Sequence, residues 1–276
     1  MYYRTVTDDV TGRRTTDGAG VRLVRVLGDP TVARFDPFLM LDAFDSRDPQ
    51  DYIRGFPLHP HRGIETITYL IGGKVEHRDS LGNKGAILSG QSQWMTAGRG
   101  ILHQEMPKPS ERMLGFQLWL NLPKAEKMCE PAYFEITEEM IPVVKTEGTE
   151  VRVISGSYGG AVGPRPKHIQ ATLLDVSLVE GCTFTLDTKA EETVFAFVIL
   201  GSAFAGGQPL EEKTAVLFGP GDAAEVTASE HQEARVIIFC GKPIKEPIAW
   251  GGPIVMNTEE ELDQAFRELR EGTFIS

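Results

Sequence analysis

Gly90-Gln-Ser-Gln-Trp-Met-Thr96-Ala97 and Gly221-Asp-Ala-Ala-Glu-Val-Thr227-Ala228 follow one pattern: a glycine, five residues, then Thr-Ala. Each lies a little before a run of β-forming residues, Leu114–Leu120 in one case and Arg235–Phe239 in the other. A second correspondence runs in the same order along the chain, with Ile64–Ile71 ending at Gly72 and Val194–Leu200 ending at Gly201. One such match carries little weight. Two in the same order predict a duplicated β-domain. The boundary is expected between about 130 and 165, where Pro131, Pro142, Gly148, Gly156 and Gly159-Gly-Ala-Val-Gly-Pro-Arg-Pro166 break the pattern. The division expected is 1–135 and 136–276.

The rest of the chain agrees with an all-β reading. Val21–Leu27, Thr172–Val179 and Thr193–Leu200 are rich in Val, Leu, Ile and Phe, and Gly72-Gly73, Gly82-Asn83, Gly206-Gly207 and Gly219-Pro220-Gly221 supply turns. Evenly spaced short strands of this kind form a sandwich or barrel. Phe116, Leu118 and Leu120 alternate with Gln117, Trp119 and Asn121, so the first three are expected to face a core. One helix is expected over 258–271. Thr258 and Glu261 form a capping box, Leu262, Ala265, Phe266 and Leu269 form one apolar stripe, and Gly272 offers a stop.

The 276 residues carry 28 Lys and Arg against 39 Asp and Glu, a net charge of −11. That balance argues against non-specific binding to nucleic acid or to anionic membrane. The longest apolar run, Val194–Leu200, is far short of the ~20 residues that span a bilayer. MYYRTVTDDV at the N-terminus has no apolar core of a secretory signal. Cys129, Cys182 and Cys240 are odd in number and lack metal-site spacing, so reduced cysteines in a cytoplasmic protein are expected. Cys129 has no activating neighbour in sequence, and no Ser-His-Asp arrangement is evident.

Chemistry concentrates in two short stretches, Phe56-Pro-Leu-His59-Pro-His61-Arg-Gly-Ile-Glu65 and Gly98-Arg-Gly-Ile-Leu-His103-Gln-Glu105. Residues two apart on a strand share a face. His59 and His61 therefore aim two imidazoles at one point, and His103 and Glu105 an imidazole and a carboxylate. If both strands line one barrel, four ligands converge. Imidazole with carboxylate suits Fe, Mn, Ni, Cu or Zn, and no thiolate is offered. An inward Glu105 without a cation would carry a desolvation cost of about several kcal/mol. The same parity turns Glu65 inward. In the second half, counting back from Gly201 as His59 and His61 sit before Gly72 reaches Thr188 and Ala190, which cannot replace histidines. His231 follows the second Thr-Ala turn without a partner, His168 lies in a Pro-rich linker and is expected to be exposed, and His77 is expected to be a hydrogen-bonding strand residue.

Gly55-x₃-His59-x-His61-x₃-Glu65-x₆-Gly72 resembles the first cupin motif, and Gly90-x₅-Thr96-x-Gly98 followed by His103 resembles the second. Thr96 stands where cupins usually have Pro, and four residues rather than two separate Gly98 from His103. With FPLHPHRGIETITYL, QWMTAGRGILHQEMP, FQLWLNLPKAEKMCEP and GGPIVMNTEEEL, these departures make the chain similar to the pirin family from about residue 20 to 271.

The resemblance implies a bicupin: two β-barrels of jelly-roll type facing each other, with one metal in the N-terminal barrel and the helix at the C-terminus. It assigns His59, His61, His103 and Glu105 as ligands and leaves Glu65, which other cupins use, as a carboxylate orienting a ligating histidine. It implies one divalent ion, Fe(II) first, with Mn, Ni, Cu, Zn or Co as alternatives. It also implies a dioxygenase of the quercetin 2,3-dioxygenase type, opening a flavonol with O₂. Glu105 would be the base for the 3-hydroxyl, and Phe56, Trp94 and Met95 the apolar walls. The alternative it implies is a metal-dependent regulator that binds a partner protein without turnover.

Overall fold

The computed structural model describes residues 2–275. By Cα proximity these divide into two compact units: one comprises residues up to Arg13, Ala33–Pro37 and Ile136–Pro243, the other Arg14–Val32, Phe38–Glu135 and Ile244 onward. The units do not follow the linear division expected. Strand Val6–Thr11 pairs with Thr214–Phe218, so the N-terminal segment completes the sheet of the C-terminal half. The C-terminal helix goes the other way and belongs with the histidine-bearing half.

Each unit is built on a seven-stranded and a four-stranded sheet. In the histidine-bearing unit the seven-stranded order is Ala132–Ile136, Ser92–Thr96, Ile64–Gly72, Met113–Asn121, Phe38–Ser46, Val21–Leu27, Arg13–Asp17, and the four-stranded order is Phe56–His61, Ile101–Pro107, Lys74–Asp79, Lys84–Leu88. In the other unit the orders are Val6–Thr11, Thr214–Phe218, Thr193–Gly201, Ala234–Gly241, Thr172–Leu178, Thr149–Ser155, Val143–Thr146 and Thr183–Asp187, Ala223–Ala228, Ala203–Ala205, Gln208–Leu210. The duplication is therefore real, and Ile64–Gly72 does correspond to Thr193–Gly201. The Thr-Ala match does not hold in space. Ser92–Thr96 lies in a seven-stranded sheet, whereas Ala223–Ala228 lies in a four-stranded one and corresponds to Ile101–Pro107. A glycine turn before a buried strand recurs for local reasons and does not say which sheet the strand joins.

The central strands are buried on both faces. All of Met113–Asn121 is buried, so its alternation separates two interiors rather than core from solvent. Gln117 and Trp119, not Phe116 and Leu118, share the face that meets the buried Glu105. The helix Glu259–Glu271 forms as its sequence indicates. Thr258 accepts from the Glu261 amide, Glu261 reaches back, and Gly272 closes the end at φ 73°. Leu262 and Ala265 bury against Ala249, Ile254, Met256 and Phe274, with Phe266 and Leu269 beside them.

Lys127 pins three segments of this unit. Its buried ammonium donates to the Gly63 carbonyl at 2.8 Å, to Asn121 Oδ1 at 2.6 Å and to the Val255 carbonyl at 2.9 Å. Burial pulls its pKa from 10.5 down to about 8. Lys127→Met leaves buried acceptors short of a donor, at ~1–3 kcal/mol for each group left unsatisfied. A loss of at least ~2 kcal/mol in urea unfolding at pH 7 is expected, and a variant as stable as the parent would contradict the three-bond reading. The unfolded chain keeps a proton that the folded protein releases between about pH 8 and 10.5. Stability relative to Lys127→Met should therefore rise across that window.

Candidate metal centre

Strands Phe56–His61 and Ile101–Pro107 run antiparallel as neighbours, with His59 opposite His103 and His61 opposite Ile101. The alternation of a strand then places His59, His61 and His103 on one face. Their ring centroids lie 4.5 to 5.0 Å apart. One nitrogen from each ring falls within 4.8 Å of the others, and among the described residues this is the one such group of three metal-ligating side chains.

Hydrogen bonding sets the tautomers. His59 Nδ1 sits 2.8 Å from the Pro57 carbonyl and His61 Nδ1 sits 3.1 Å from the Pro253 carbonyl. A carbonyl only accepts, so both Nδ1 atoms carry a proton, and in the neutral ring the Nε2 atom is the one that presents a lone pair. Those two Nε2 atoms are 3.0 Å apart. Both ring nitrogens of His103 are buried without a hydrogen-bond partner. Burial, followed by the neighbouring imidazoles, holds the pKa values of His61 and His103 well below the usual histidine range, so both are neutral at pH 7. Lone pairs that face each other at this distance repel, and a cation between them removes the conflict. The spacing fits: two nitrogens ~2.1 Å from one ion and at right angles stand about 3.0 Å apart.

Glu105 lies beside this group rather than within it. Its Oε2 is 4.0 Å from His103 Nε2. Gln117 Nε2 donates to both carboxylate oxygens, at 3.0 and 2.8 Å, and Thr68 Oγ1 lies 3.2 Å from Oε1. Trp119 Nε1 donates to Gln117 Oε1 at 3.4 Å, which orients the amide for that task. Glu65 is a correction to the sequence reading. It accepts from Thr96 Oγ1 at 2.7 Å and, an odd number of residues from Thr68, points to the opposite face of its strand. The parity that joined His61 to Glu65 fails because a turn at Gly63, with φ +77°, separates their strands.

A cavity of about 570 Å³ opens onto His59 and His61 and is lined by Phe56, Met40, Gln117, Trp119 and Trp250 among others. The Trp119 ring lies 5.0 Å from His61 and 6.0 Å from Trp250. Elsewhere in the lining, Arg25 is held by Asp42 at 2.8 and 2.7 Å and by Asp17 at 2.7 Å. Phe56 is a wall, as expected. Trp94 and Met95 are not in the lining. Met95 packs with Ile101 and Trp119 in the core, and Trp94 is buried on the other face of the sheet. Gln117, Trp119, Trp250 and Pro253 were not singled out from sequence as site residues. Nothing local in the Trp250–Pro253 segment signals a histidine nearly two hundred positions away.

The remaining histidines fall outside the group. His77 is buried, stacked on Tyr133 at 5.5 Å, 2.7 Å from Gln93 Nε2 and 3.3 Å from Glu135 Oε1. His168 is half-buried and His231 exposed. In the other unit, strand pairing sets Leu186 opposite Ala224, in the place where His59 meets His103. Ala203 pairs with Ala228 as Val75 pairs with Pro107, which puts Val226 in the place of Glu105. Leu186, Ala224 and Val226 belong to one apolar core. Thr188 takes the place of His61, so the equivalents are Leu186 and Thr188 rather than Thr188 and Ala190. The shift reflects a connection of different length before the long strand.

Two copies of a seven-plus-four-stranded unit, one with converging imidazoles and the other filled with aliphatic side chains, define a bicupin. Residues 20–120 match the Pirin family and residues 173–275 match the Pirin C-terminal cupin domain. A pirin-like protein of Caulobacter vibrioides is 44% identical over 99% of this chain and 100% of its own length. A Pseudomonas aeruginosa protein provisionally named a quercetin 2,3-dioxygenase is 43% identical over 98% of each chain. The crystal structure of a quercetin 2,3-dioxygenase from Acinetobacter baumannii superposes with a TM-score of 0.91 at 31% identity, covering 99% of both chains. The chain belongs to the pirin family. No helix among the described residues is long and apolar enough to cross a membrane.

Elemental analysis of the purified protein loaded with a divalent metal and desalted is expected to give one tightly held ion per chain. His61→Ala should empty the site, while Glu65→Gln, altering a side chain on the far face, should keep it filled. Two tightly held ions per chain, or loss of metal on Glu65→Gln alone, would contradict this arrangement.

Proposed function

We propose that this chain is a metal-dependent dioxygenase of the quercetin 2,3-dioxygenase type, with a flavonol-like aromatic and O₂ as substrates. The observation that carries the reading is the convergence of three imidazoles, two of them in the wall of a cavity large enough for a flat aromatic. The names of the Pseudomonas and Acinetobacter relatives support it. His59, His61 and His103 would hold one divalent ion, with Glu105 as the carboxylate that completes the set and Fe(II) the first choice for nitrogen and oxygen donors. That ion would supply Lewis acidity toward the substrate's 3-oxygen and a route for electrons to O₂.

The chain's own residues do the rest. Trp119, Trp250 and Phe56 present aromatic surface against which a flat ring packs. Pro57 and Pro253 keep the Nδ1 protons of His59 and His61 away from the centre. Gln117 lines the cavity and donates to Glu105, so the carboxylate that takes the 3-hydroxyl proton is held in place by the same side chain the substrate meets. The buried setting of His103 and Glu105 keeps bulk water from the reacting atoms.

Glu105→Gln, reloaded to full metal content, should lose ~10²–10⁴-fold in flavonol consumption, the usual worth of a general base. Unchanged turnover at equal metal content would remove the base role from Glu105. A fully loaded parent protein that takes up no oxygen with flavonol would overturn the enzymatic reading and favour a metal-dependent regulator acting on a partner protein.

A further inference from the structure

The residue after the second histidine of the H-x-H pair is a buried arginine with a full set of partners. Arg62 Nη1 pairs with Glu268 Oε2 at 2.7 Å, Nη2 donates to the Phe274 carbonyl at 3.1 Å, and Nε donates to the Arg99 carbonyl. Its guanidinium lies 4.2 Å from the centre of the Phe274 ring. Its backbone is tied too: Ile254 bridges it in parallel, and the Val255 amide donates to its carbonyl at 3.1 Å. Glu268 belongs to the C-terminal helix, Phe274 to the tail beyond it, and Val255 to the hairpin before it. Pro253 in that hairpin accepts the His61 Nδ1 proton.

The same tail touches the other ligand strand. A Cβ at Gly100, one residue before the strand of His103, would sit 3.0 Å from Phe274. One at Gly63 would sit 2.0 Å from the Val255 carbonyl. The backbone beside each ligand strand thus meets the C-terminal segment at contact distance, and the Arg62 side chain, which follows the first strand, binds the loop entering the second, the helix and the tail together. Stacking and a three-way charge-assisted fork at a buried site suit arginine and not lysine.

We infer that Arg62 is a positioning residue for the metal centre, coupling the docking of the C-terminal helix and tail to the orientation of His61 and His103. Seating the tail and holding the ion are then one linked equilibrium, and linkage works in both directions. If the segment from the hairpin to the tail lifts as one, the Pro253 contact that orients His61 is lost, and a bound ion that locks the imidazoles holds the segment down. The inference rests on the metal reading above but concerns affinity and tail dynamics rather than turnover.

The test uses the full-length, metal-stripped protein with nickel(II) as the probe. Nickel is titrated into the parent, Arg62→Met and Glu268→Gln, each first shown to be folded by circular dichroism. Amide hydrogen exchange across Glu259–Glu271 is followed in the parent with and without nickel. Arg62→Met is expected to bind nickel ~10–100-fold more weakly, the usual effect of losing a contact that orients a ligand. Glu268→Gln should shift in the same direction by less, and nickel should slow exchange in the parent helix. A residue that merely stabilised the fold would lower melting temperature without moving nickel affinity. Folded variants that bind nickel as the parent does, or a parent helix whose exchange ignores nickel, would overturn the coupling. A parent protein that takes up no nickel would overturn the three-histidine site itself and this inference with it.

Discussion

Three imidazoles brought together beside a cavity, two of them with Nε2 atoms 3.0 Å apart, are the constraint on which the site depends. The carbonyls of Pro57 and Pro253 accept hydrogen bonds from the two Nδ1–H groups and so turn both Nε2 atoms to the centre, 3.0 Å apart. His103 is left with no protein partner at either nitrogen. A buried unsatisfied polar group costs about 1–3 kcal/mol, and a structure that keeps several side by side needs a compensating ligand. A divalent cation is the ligand proposed here, and the surrounding fold would be the scaffold that holds the nitrogens in place for it.

The comparison between the two units shows what the constraint requires. The same sheet order and strand pairing occur twice. In one unit the positions facing inward are imidazoles beside a hydrogen-bonded trio of Glu105, Thr68 and Gln117. In the other they are Leu186, Ala224 and Val226, and the interior packs as one apolar cluster. The aliphatic unit gains the ordinary hydrophobic stabilisation of a filled core. The histidine unit has a hydrogen-bonded polar network in the place of that aliphatic packing.

Much of this was legible in the sequence, for identifiable reasons. Period-two spacing carried the histidines, since H-x-H and H-x-E share a face on any strand. The capping box at Thr258 and Glu261 and the stripe at Leu262, Ala265 and Leu269 carried the helix. What stayed hidden depends on which chain segments meet. Glu65 follows His61 closely, but the turn at Gly63 starts a new strand and resets the parity. Gln117 and Trp119 read as the polar side of a half-buried strand, because sequence cannot show that both faces of a central strand are covered. Pro253, Trp250 and Glu268 belong to the site's surroundings through contacts close to two hundred residues long, and no local pattern reports such contacts. The exchange of chain ends between the units is hidden for the same reason.

The central claim, that these imidazoles form a nitrogen and oxygen site for one divalent ion, is most directly tested by X-ray absorption at the metal edge of the loaded protein. Multiple-scattering features of about three imidazoles in the first coordination sphere, accompanied by oxygen donors, are expected at metal–nitrogen distances of ~2.0–2.2 Å. Sulfur scattering, or a spectrum with no imidazole signature, would place the ion elsewhere and contradict it.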